Sequence, residues 1–523
     1  MAKSEYFYID TNGARLFTAV LKPEESGRFP VVILRNPYVD YWQHKSEEEV
    51  LAAMENENRM WTDAGYAVVY QHCRGRGKSE GDCIPYINER ADGLCLHEWI
   101  RKQDFYNGEL YLYGTSYLTS VHLVTAPWEK DIRGAVLRVQ ETERYNCNYR
   151  NGFYKANLHG GWYVGMYKHN REKKWNFNEN SFRMLPLSAF SETVFGEKAE
   201  DFDEILRHPQ KDDPFWTETH IGGSDMHGVL RNAGIPVLLV TGFYDIYTGG
   251  MFDLWNAMEP SSRAMSAMIC CPYDHSMNQS GQPLHFPKGC PDEAFPGYVV
   301  SFIEHVRTGS PSPVPLGKVT YYRLFENEWR SENTVSEGEF LRFPIGEGEE
   351  TYVYDPADVP VFPAGISGNF GGTAYQKPPR FHEGVLTCYT APFAEDVFVK
   401  GKMAASLLVR SDCEDTCFYL RVSLTSPEGD IGLRDDITQI SNAAPDYVPG
   451  TEVRLSFSFD EHAFLIRAGQ RLRIDIASAG YPFYVPHTNR RGLFSEQTSA
   501  CVAHNTVVLS ASELLVPAES IQK

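Results

Sequence analysis

Along the first 130 residues, short and nearly continuous apolar runs alternate with segments of helical period. Phe29-Pro-Val-Val-Ile-Leu34 and Tyr66-Ala-Val-Val-Tyr70 read as strands covered on both faces of a sheet. Between them, Ser46-Glu-Glu-Glu49 has the form of a capping box and opens a helix carrying Val50, Leu51, Met54, Met60 and Trp61. A second helix, from about Arg90 to Lys102, places Cys95, Leu96, Trp99 and Ile100 on one face. The strand Leu110-Tyr-Leu-Tyr113 then runs into Gly114-Thr-Ser116, and a further helix is expected from Tyr117 to Ala126. Strands and helices in alternation argue for a mostly parallel α/β sheet.

From about Pro127 to His227 the chain becomes rich in Trp, Tyr, Asn, His and Lys, with weak periodicity and no clear strand, and reads as a helical insertion. Strand-like sequence resumes at Pro236-Val-Leu-Leu-Val240 and at Ala267-Met-Ile-Cys-Cys271, so the sheet is expected to be completed after the interruption. The Pro/Ser/Gly stretch from Gly309 to Gly317 marks a boundary. Beyond it the apolar period is two. Val453, Leu455, Phe457 and Phe459 alternate with polar residues, as do Phe418, Leu420, Val422 and Leu424, and Leu472, Ile474 and Ile476. Such strands, separated by Gly, Pro and Asp turns, predict an antiparallel β-sandwich. The organisation expected is an α/β domain over 1–126 and 228–310, a helical cap over 127–227, and a β-sandwich over 318–523.

At 523 residues, with 42% apolar and 23% charged positions, the composition is that of a globular protein with several domains and excludes collagen, coiled coil or wholesale disorder. No apolar run approaches membrane-spanning length and no leader pattern is present, so a cytoplasmic location away from membranes is expected. The formal charge of −20 disfavours nucleic acid and suits neutral or cationic small molecules. The 11 cysteines are scattered and read as reduced thiols; Cys413 with Cys417, and Cys270 with Cys271, lack a second Cys/His pair at zinc spacing, so no metal is expected.

The chemistry concentrates at Gly114-Thr-Ser116-Tyr-Leu118-Thr119. A strand before it and a helix behind it form the context of a nucleophile elbow, a sharp turn that projects the serine hydroxyl, although Leu118 stands where G-x-S-x-G has its second glycine. A serine hydroxyl needs a base and an orienting acid, which α/β-hydrolases supply from later strand ends in the order Asp, His. Asp245, in Thr241-Gly-Phe-Tyr-Asp245, and His275, in Cys271-Pro-Tyr-Asp-His275, occupy such positions. Asp274 and His487 are rivals.

These segments together resemble the cocaine esterase and X-prolyl dipeptidyl peptidase family. The resemblance rests on Asn36-Pro-Tyr38, the run from Arg74 to Gly81, Asp92-Gly93, Glu98-Trp-Ile100, Gly114-Thr-Ser116-Tyr117, Gly242-Phe-Tyr-Asp245, Pro272-Tyr-Asp-His275, Gly469-Gln-Arg-Leu-Arg473 and Tyr481-Pro482, and covers nearly the whole chain. It implies an α/β-hydrolase fold with an inserted helical cap and a C-terminal jelly roll, a catalytic triad of Ser116, Asp245 and His275, and no cofactor. It further implies an oxyanion hole formed by the Tyr38 hydroxyl and the Tyr117 backbone N–H. The sequence departs from the family pattern at Thr119, where glycine is usual, at Phe243, and at Cys271-Pro-Tyr273; Thr119 is expected to crowd the turn and alter the acyl pocket.

Three patterns are set aside. Gly77-Lys-Ser79 lacks the Walker A glycine, His72 standing in its place; Gly75, Gly77 and Gly81 have the wrong spacing for a dinucleotide loop; and Leu158-His-Gly-Gly161 follows the nucleophile and reads as a cap turn. The function expected is a serine hydrolase that cleaves a small ester or amide, or a peptide, through an acyl-enzyme. Two alternatives stand beside it. One is an X-Pro dipeptidyl peptidase or α-amino-acid ester hydrolase, which would hold a substrate ammonium with carboxylates such as Asp212, Asp213 or Asp225. The other is an inactive binding protein that uses its sandwich. A homo-oligomer is left open.

Overall fold

The computed structural model describes residues 3–23, 26–125, 130–168, 175–178, 180–217, 234–335, 338–363 and 372–519. In chain order the first strands are β1 (Lys3–Thr11), β2 (Ala14–Lys22), β3 (Phe29–Asn36), β4 (Ala67–His72), β5 (Tyr106–Thr115) and β6 (Ile132–Arg138). A small hairpin, β7 (Tyr149–Arg150) and β8 (Phe153–Tyr154), stands apart, and β9 (Val237–Gly242), β10 (Ala267–Cys271), β11 (Val319–Arg323) and β12 (Glu328–Glu332) follow. Ten of these form one sheet in the order β1-β2-β4-β3-β5-β6-β9-β10-β11-β12. From β4 through β11 every pairing is parallel, and the flanking strands are antiparallel.

The apolar runs of β3, β4, β9 and β10 are buried along nearly their whole length, as strands between two helical layers must be. The first helix, α1 (Glu47–Asp63), starts at the expected capping box: the Glu49 N–H donates to Ser46 Oγ, and the Ser46 N–H donates to Glu49 Oε2 at 2.8 Å. It buries Val50, Met54 and Trp61 against the sheet. The second, α2 (Glu89–Arg101), buries Leu96 and Ile100.

The sheet extends past two expected boundaries. β6 lies inside the stretch read as cap; its apolar centre is only Ala135-Val-Leu137, too short to stand out between flanking arginines. β11 and β12 lie inside the stretch read as sandwich. The helix Tyr298–Thr308 forms a crossover that returns the chain parallel to β10, so the Pro/Ser/Gly stretch before β11 is a connection within the α/β unit.

Between β6 and β9 the described residues form short helices around a mostly aromatic core that includes Tyr149, Tyr154, Tyr163, Phe182, Phe190 and Phe202. Asp225 lies outside the described residues. The C-terminal region is all β: β13 (Glu339–Pro344), β14 (Glu350–Tyr354), β15 (Leu386–Tyr389), β16 (Val397–Gly401), β17 (Ala404–Ser411), β18 (Cys417–Leu424), β19 (Ile431–Gln439), β20 (Val453–Ser458), β21 (His462–Ile466), β22 (Leu472–Ala477) and β23 (Ala503–Ala518). These form a seven-stranded and a four-stranded antiparallel sheet.

β20 shows the expected alternation, with Leu455 and Phe457 buried and Arg454, Ser456 and Ser458 exposed. β18 and β22 do not, because both of their faces are buried. Tyr419, on the second face of β18, joins a cluster with Phe153 and Leu158 of the cap and with Ile246 and Tyr247 of the α/β unit. The three parts therefore meet at one apolar junction. Charged side chains on the same face are paired: Arg421 with Asp435 at 3.1 Å and Arg473 with Asp475 at 3.0 Å. Among the described residues no helix is long and apolar enough to cross a membrane.

The cap hairpin fastens to the sandwich through Arg150, which donates from Nε to Asp436 at 2.8 Å, from Nη1 to Asp460 at 3.0 Å and from Nη2 to the Ser458 carbonyl. The Asp436 side chain is 2% exposed. Arg150→Ala would leave that carboxylate buried without its cation, and is expected to lower stability by about 3–5 kcal/mol, read as a reduced urea midpoint, with Arg150→Lys intermediate. Glu141, buried beside this junction, has its pKa raised by burial to about 7, with Lys155 and the Thr142 N–H opposing the rise. Its folded pKa exceeds the unfolded value, so its contribution is complete below about pH 4.5 and is lost as pH rises through about 7, stability falling by about 1.4 kcal/mol per pH unit between the two. Glu141→Gln is expected to flatten the fall in thermal stability between about pH 5 and pH 8.

Candidate active site

Four parallel strands end at one edge of the sheet, and each delivers a candidate residue there: Tyr38 after β3, Ser116 after β5, Asp245 after β9 and His275 after β10. The carboxyl edge of a parallel sheet is where doubly wound folds place their sites.

Ser116 joins β5 directly to the helix α3 (Tyr117–Leu123), at φ 57° and ψ −130°, a conformation that costs a non-glycine residue about 1–3 kcal/mol. The turn is held by the Ser116 N–H donating to the Arg138 carbonyl of β6 at 2.9 Å and by the Thr119 N–H donating to the Ser116 carbonyl at 2.7 Å. A Cβ on Gly114 would lie 2.3 Å from the Leu118 carbonyl oxygen and 2.6 Å from the Thr119 nitrogen, so the helix can fold back on the strand only over glycine. Position 118 carries no such constraint.

Thr119 has a definite partner in the fold. It is buried, and its hydroxyl donates to the Arg138 carbonyl at 3.1 Å while accepting from the Arg138 N–H at 3.2 Å. The hydroxyl is thus engaged with β6, and it ties the elbow helix to that strand.

The loops bearing Asp245 and His275 are docked on each other. The Phe243 N–H donates to the Cys271 carbonyl at 2.8 Å and the Tyr244 N–H to the Tyr273 carbonyl at 3.0 Å. A Cβ at Gly242 would fall 2.1 Å from the Tyr273 oxygen, which explains the glycine at the end of β9. The completely buried Asp245 carboxylate accepts from Thr241 Oγ1 at 3.1 Å through Oδ2 and from His275 Nδ1 at 2.9 Å through Oδ1. A carboxylate can only accept, so Nδ1 carries the proton of this bond. Tyr247 sets its ring edge against the imidazole at 5.6 Å between centroids.

Tyr38 is positioned by its own motif. Its N–H donates to Asn36 Oδ1 at 2.8 Å, and Arg76 donates from Nε to the Pro37 carbonyl at 2.8 Å while pairing with Asp40. The residue is 36% exposed, yet its hydroxyl is enclosed by the Ser116 side chain, the Tyr117 backbone N–H and the Trp162 indole. Burial raises the phenol pKa above its ordinary value, and those hydrogen bonds oppose the rise. Tyr117 is anchored from behind: its hydroxyl accepts from the Tyr86 N–H at 2.7 Å and donates to Glu89 Oε1 at 3.1 Å, and Glu89 is paired with Arg35 at 2.8 Å.

The rivals are engaged elsewhere. Asp274 accepts from the Ser276 N–H at 2.9 Å and from Gln282 Nε2 at 2.6 Å. His487 lies in the sandwich, where Nδ1 accepts from the Asn489 N–H at 3.0 Å and Nε2 is 3.8 Å from Asp415. Asp212 and Asp213 line a cavity of about 1520 Å³ between cap, α/β unit and sandwich, whose walls do not include Ser116 or His275. Asp213 is further occupied by His208 Nδ1 and by the Phe215 N–H, each at 2.9 Å.

The sequence reading missed Tyr86, Trp162 and Tyr247. Trp162 follows the cap turn at Gly160-Gly161, and no local signal marks it as a neighbour of Tyr38, 124 positions away. With Tyr38 and Tyr117 these rings give the site an aromatic surround. The Arg144 guanidinium lies 4.8 Å over the Tyr86 ring, which places a positive charge beside it.

Residues 12–277 match the sequence model of the X-Pro dipeptidyl-peptidase family, S15, and residues 346–513 match that of the X-Pro dipeptidyl-peptidase C-terminal non-catalytic domain. The chain is 24% identical to the cocaine esterase of Rhodococcus sp. strain MB1 Bresler, over 95% of this chain and 94% of the relative. Its fold is similar to that of an aminopeptidase from a marine sediment Thaumarchaeota archaeon, with a TM-score of 0.83 at 18% identity, covering 99% of this chain and 96% of that one. An α-amino-acid ester hydrolase matches with a TM-score of 0.79 at 16% identity, covering 99% and 97%. With an α/β-hydrolase fold, an inserted cap and a C-terminal all-β domain, the chain belongs to the X-Pro dipeptidyl-peptidase S15 family of hydrolases.

Proposed function

We propose that this protein is a serine hydrolase that cleaves esters or amides of neutral acyl groups through an acyl-enzyme. The observation that carries the reading is the meeting at one sheet edge of a serine held at φ 57°, in contact with the Tyr38 hydroxyl, and an imidazole bonded to a buried carboxylate. Ser116 Oγ attacks the acyl carbon, and its proton passes to His275 Nε2. The carbonyl π pair moves onto oxygen, where the Tyr38 O–H and the Tyr117 N–H receive it. Collapse expels the alcohol or amine, which takes the proton from His275. Water then repeats the sequence and releases the acid. Asp245 keeps Nδ1 protonated and stabilises the imidazolium that forms.

Two observations favour neutral acyl groups over the aminoacyl substrates named for the structural neighbours. First, no carboxylate among the described residues that is bonded within the site is left for a substrate ammonium: Asp245 is engaged with His275, and Glu89 with Arg35 and Tyr117. Second, the cation beside the site, Arg144, would repel a substrate ammonium. A small-molecule substrate and a reducing cytoplasm complete the reading; all 11 cysteines are free thiols.

Ser116→Ala is expected to abolish both turnover and labelling by a fluorophosphonate while leaving the thermal transition in place. Asp245→Asn is expected to lower kcat on the order of 10⁴-fold, while His487→Ala keeps it within a few-fold. Unchanged turnover in a folded Ser116→Ala protein would refute the assignment, and an unlabelled wild type would favour a binding protein. Against phenylalanine p-nitrophenyl ester, the N-acetylated form is expected to show the higher kcat/KM; preference for the free amine would point to an aminopeptidase-like enzyme.

A further inference from the structure

The Trp162 indole Nε1–H donates to the Tyr38 hydroxyl oxygen at 3.1 Å. Tyr38 belongs to the loop after β3 and Trp162 to the cap helix Gly161–Met166, so the cap itself contributes to the environment of the oxyanion donor. The indole is held in place by its neighbours. Its ring stacks on His159 at 5.2 Å with planes 16° apart, and it also packs against Tyr117 at 5.2 Å and Tyr86 at 6.0 Å. His159 is buried, which pushes its pKa down to about 3 and keeps the stacked ring neutral. Gly160, one position before the helix, has no room for a side chain, since a Cβ there would lie 2.3 Å from Phe182 Cζ. The cap backbone that presents Trp162 is thus fixed by packing.

A phenol that accepts a hydrogen bond becomes a stronger donor, because the accepted bond draws charge onto the oxygen and polarises the O–H. We propose that Trp162 is a positioning residue for the oxyanion hole: its N–H fixes the Tyr38 hydroxyl in place and strengthens the bond that hydroxyl gives to the developing oxyanion. The inference rests on the reading of Tyr38 as an oxyanion donor. It does not require Trp162 to touch the reacting atoms. It also gives the cap a function beyond enclosing substrate, since a cap that lifted away would remove this bond and weaken the hole before the acyl group could react.

The test is a double-mutant cycle read as the second-order rate of fluorophosphonate labelling, which develops negative charge on the phosphoryl oxygen and presumes no natural substrate. Tyr38→Phe is expected to slow labelling by about 10²–10³-fold. Trp162→Phe is expected to slow it roughly threefold to tenfold, the size of one net hydrogen bond. In the Tyr38→Phe background, Trp162→Phe is expected to cost nothing further, because the hydroxyl through which it acts is gone. With a p-nitrophenyl ester the Trp162→Phe loss should fall in kcat with KM nearly unchanged. Should Trp162→Phe disturb the cap, β-(3-benzothienyl)alanine at position 162 keeps the bicyclic shape, deletes only the N–H, and should give the same cycle.

If Trp162→Phe slows labelling by the same factor with and without the Tyr38 hydroxyl, Trp162 is a pocket wall and the inference is overturned while the oxyanion reading stands. If it slows nothing in the wild-type background, the inference is likewise overturned. If Tyr38→Phe labels as fast as the wild type, or the wild type is not labelled at all, the reading of the site fails and takes the inference with it.

Discussion

The turn at Ser116 is the constraint on which the rest of the site depends. Joining β5 to α3 without an intervening loop forces the serine to φ 57° and brings the first helical turn against Gly114, where a side chain cannot fit. Such a conformation persists only when its surroundings over-determine it. Here β6 supplies the restraint: the Arg138 carbonyl accepts from both the Ser116 N–H and the Thr119 hydroxyl. The same turn brings the Tyr117 N–H toward the Tyr38 hydroxyl, so the strain that projects the Ser116 side chain also orients a backbone donor beside it.

The second requirement is that residues from four strand ends be held to a common geometry. Backbone bonds between the loops after β9 and β10 fix Asp245 against His275, and the Arg76 contacts fix the loop that carries Tyr38. Neither arrangement uses long, exposed side chains, whose freedom would blur the positions. The cap and the sandwich complete the enclosure. Their junction with the α/β unit includes Tyr247, whose ring meets that of His275 nearly at right angles, so packing among the three parts reaches His275 itself.

That junction has an electrostatic cost as well as an apolar gain. Strands that an isolated sandwich would half-expose are buried on both faces, and the polar face carries Arg421, Asp435, Arg473 and Asp475 as paired charges. Buried pairs of this kind add little net stability, but an unmatched partner is expensive, which makes the docked arrangement specific. Arg150 applies the same logic to the cap, meeting two carboxylates and a carbonyl of the sandwich.

The sequence by itself determined the elements with strong local signals: the buried apolar runs of β3, β4, β9 and β10, the capping box of α1, the alternation of β20, and the strand, serine, helix order at Ser116. It also determined the order Ser116, Asp245, His275, because parallel strands deliver their following loops to one edge whatever the length between them. Tertiary structure alone decided what local periodicity cannot encode. β6 was hidden by a three-residue apolar centre, and β11 by a connection that resembled a boundary; both became strands because a parallel neighbour was present to pair with them. Burial of β18 and β22 on both faces required the cap and the α/β unit to cover the second face. The direction of the Thr119 hydroxyl depended on a strand outside its own segment, and the bond from Trp162 to Tyr38 joins positions 124 residues apart. A hydrogen bond between such distant residues leaves no periodic trace in either segment, so only the folded chain brings it into being.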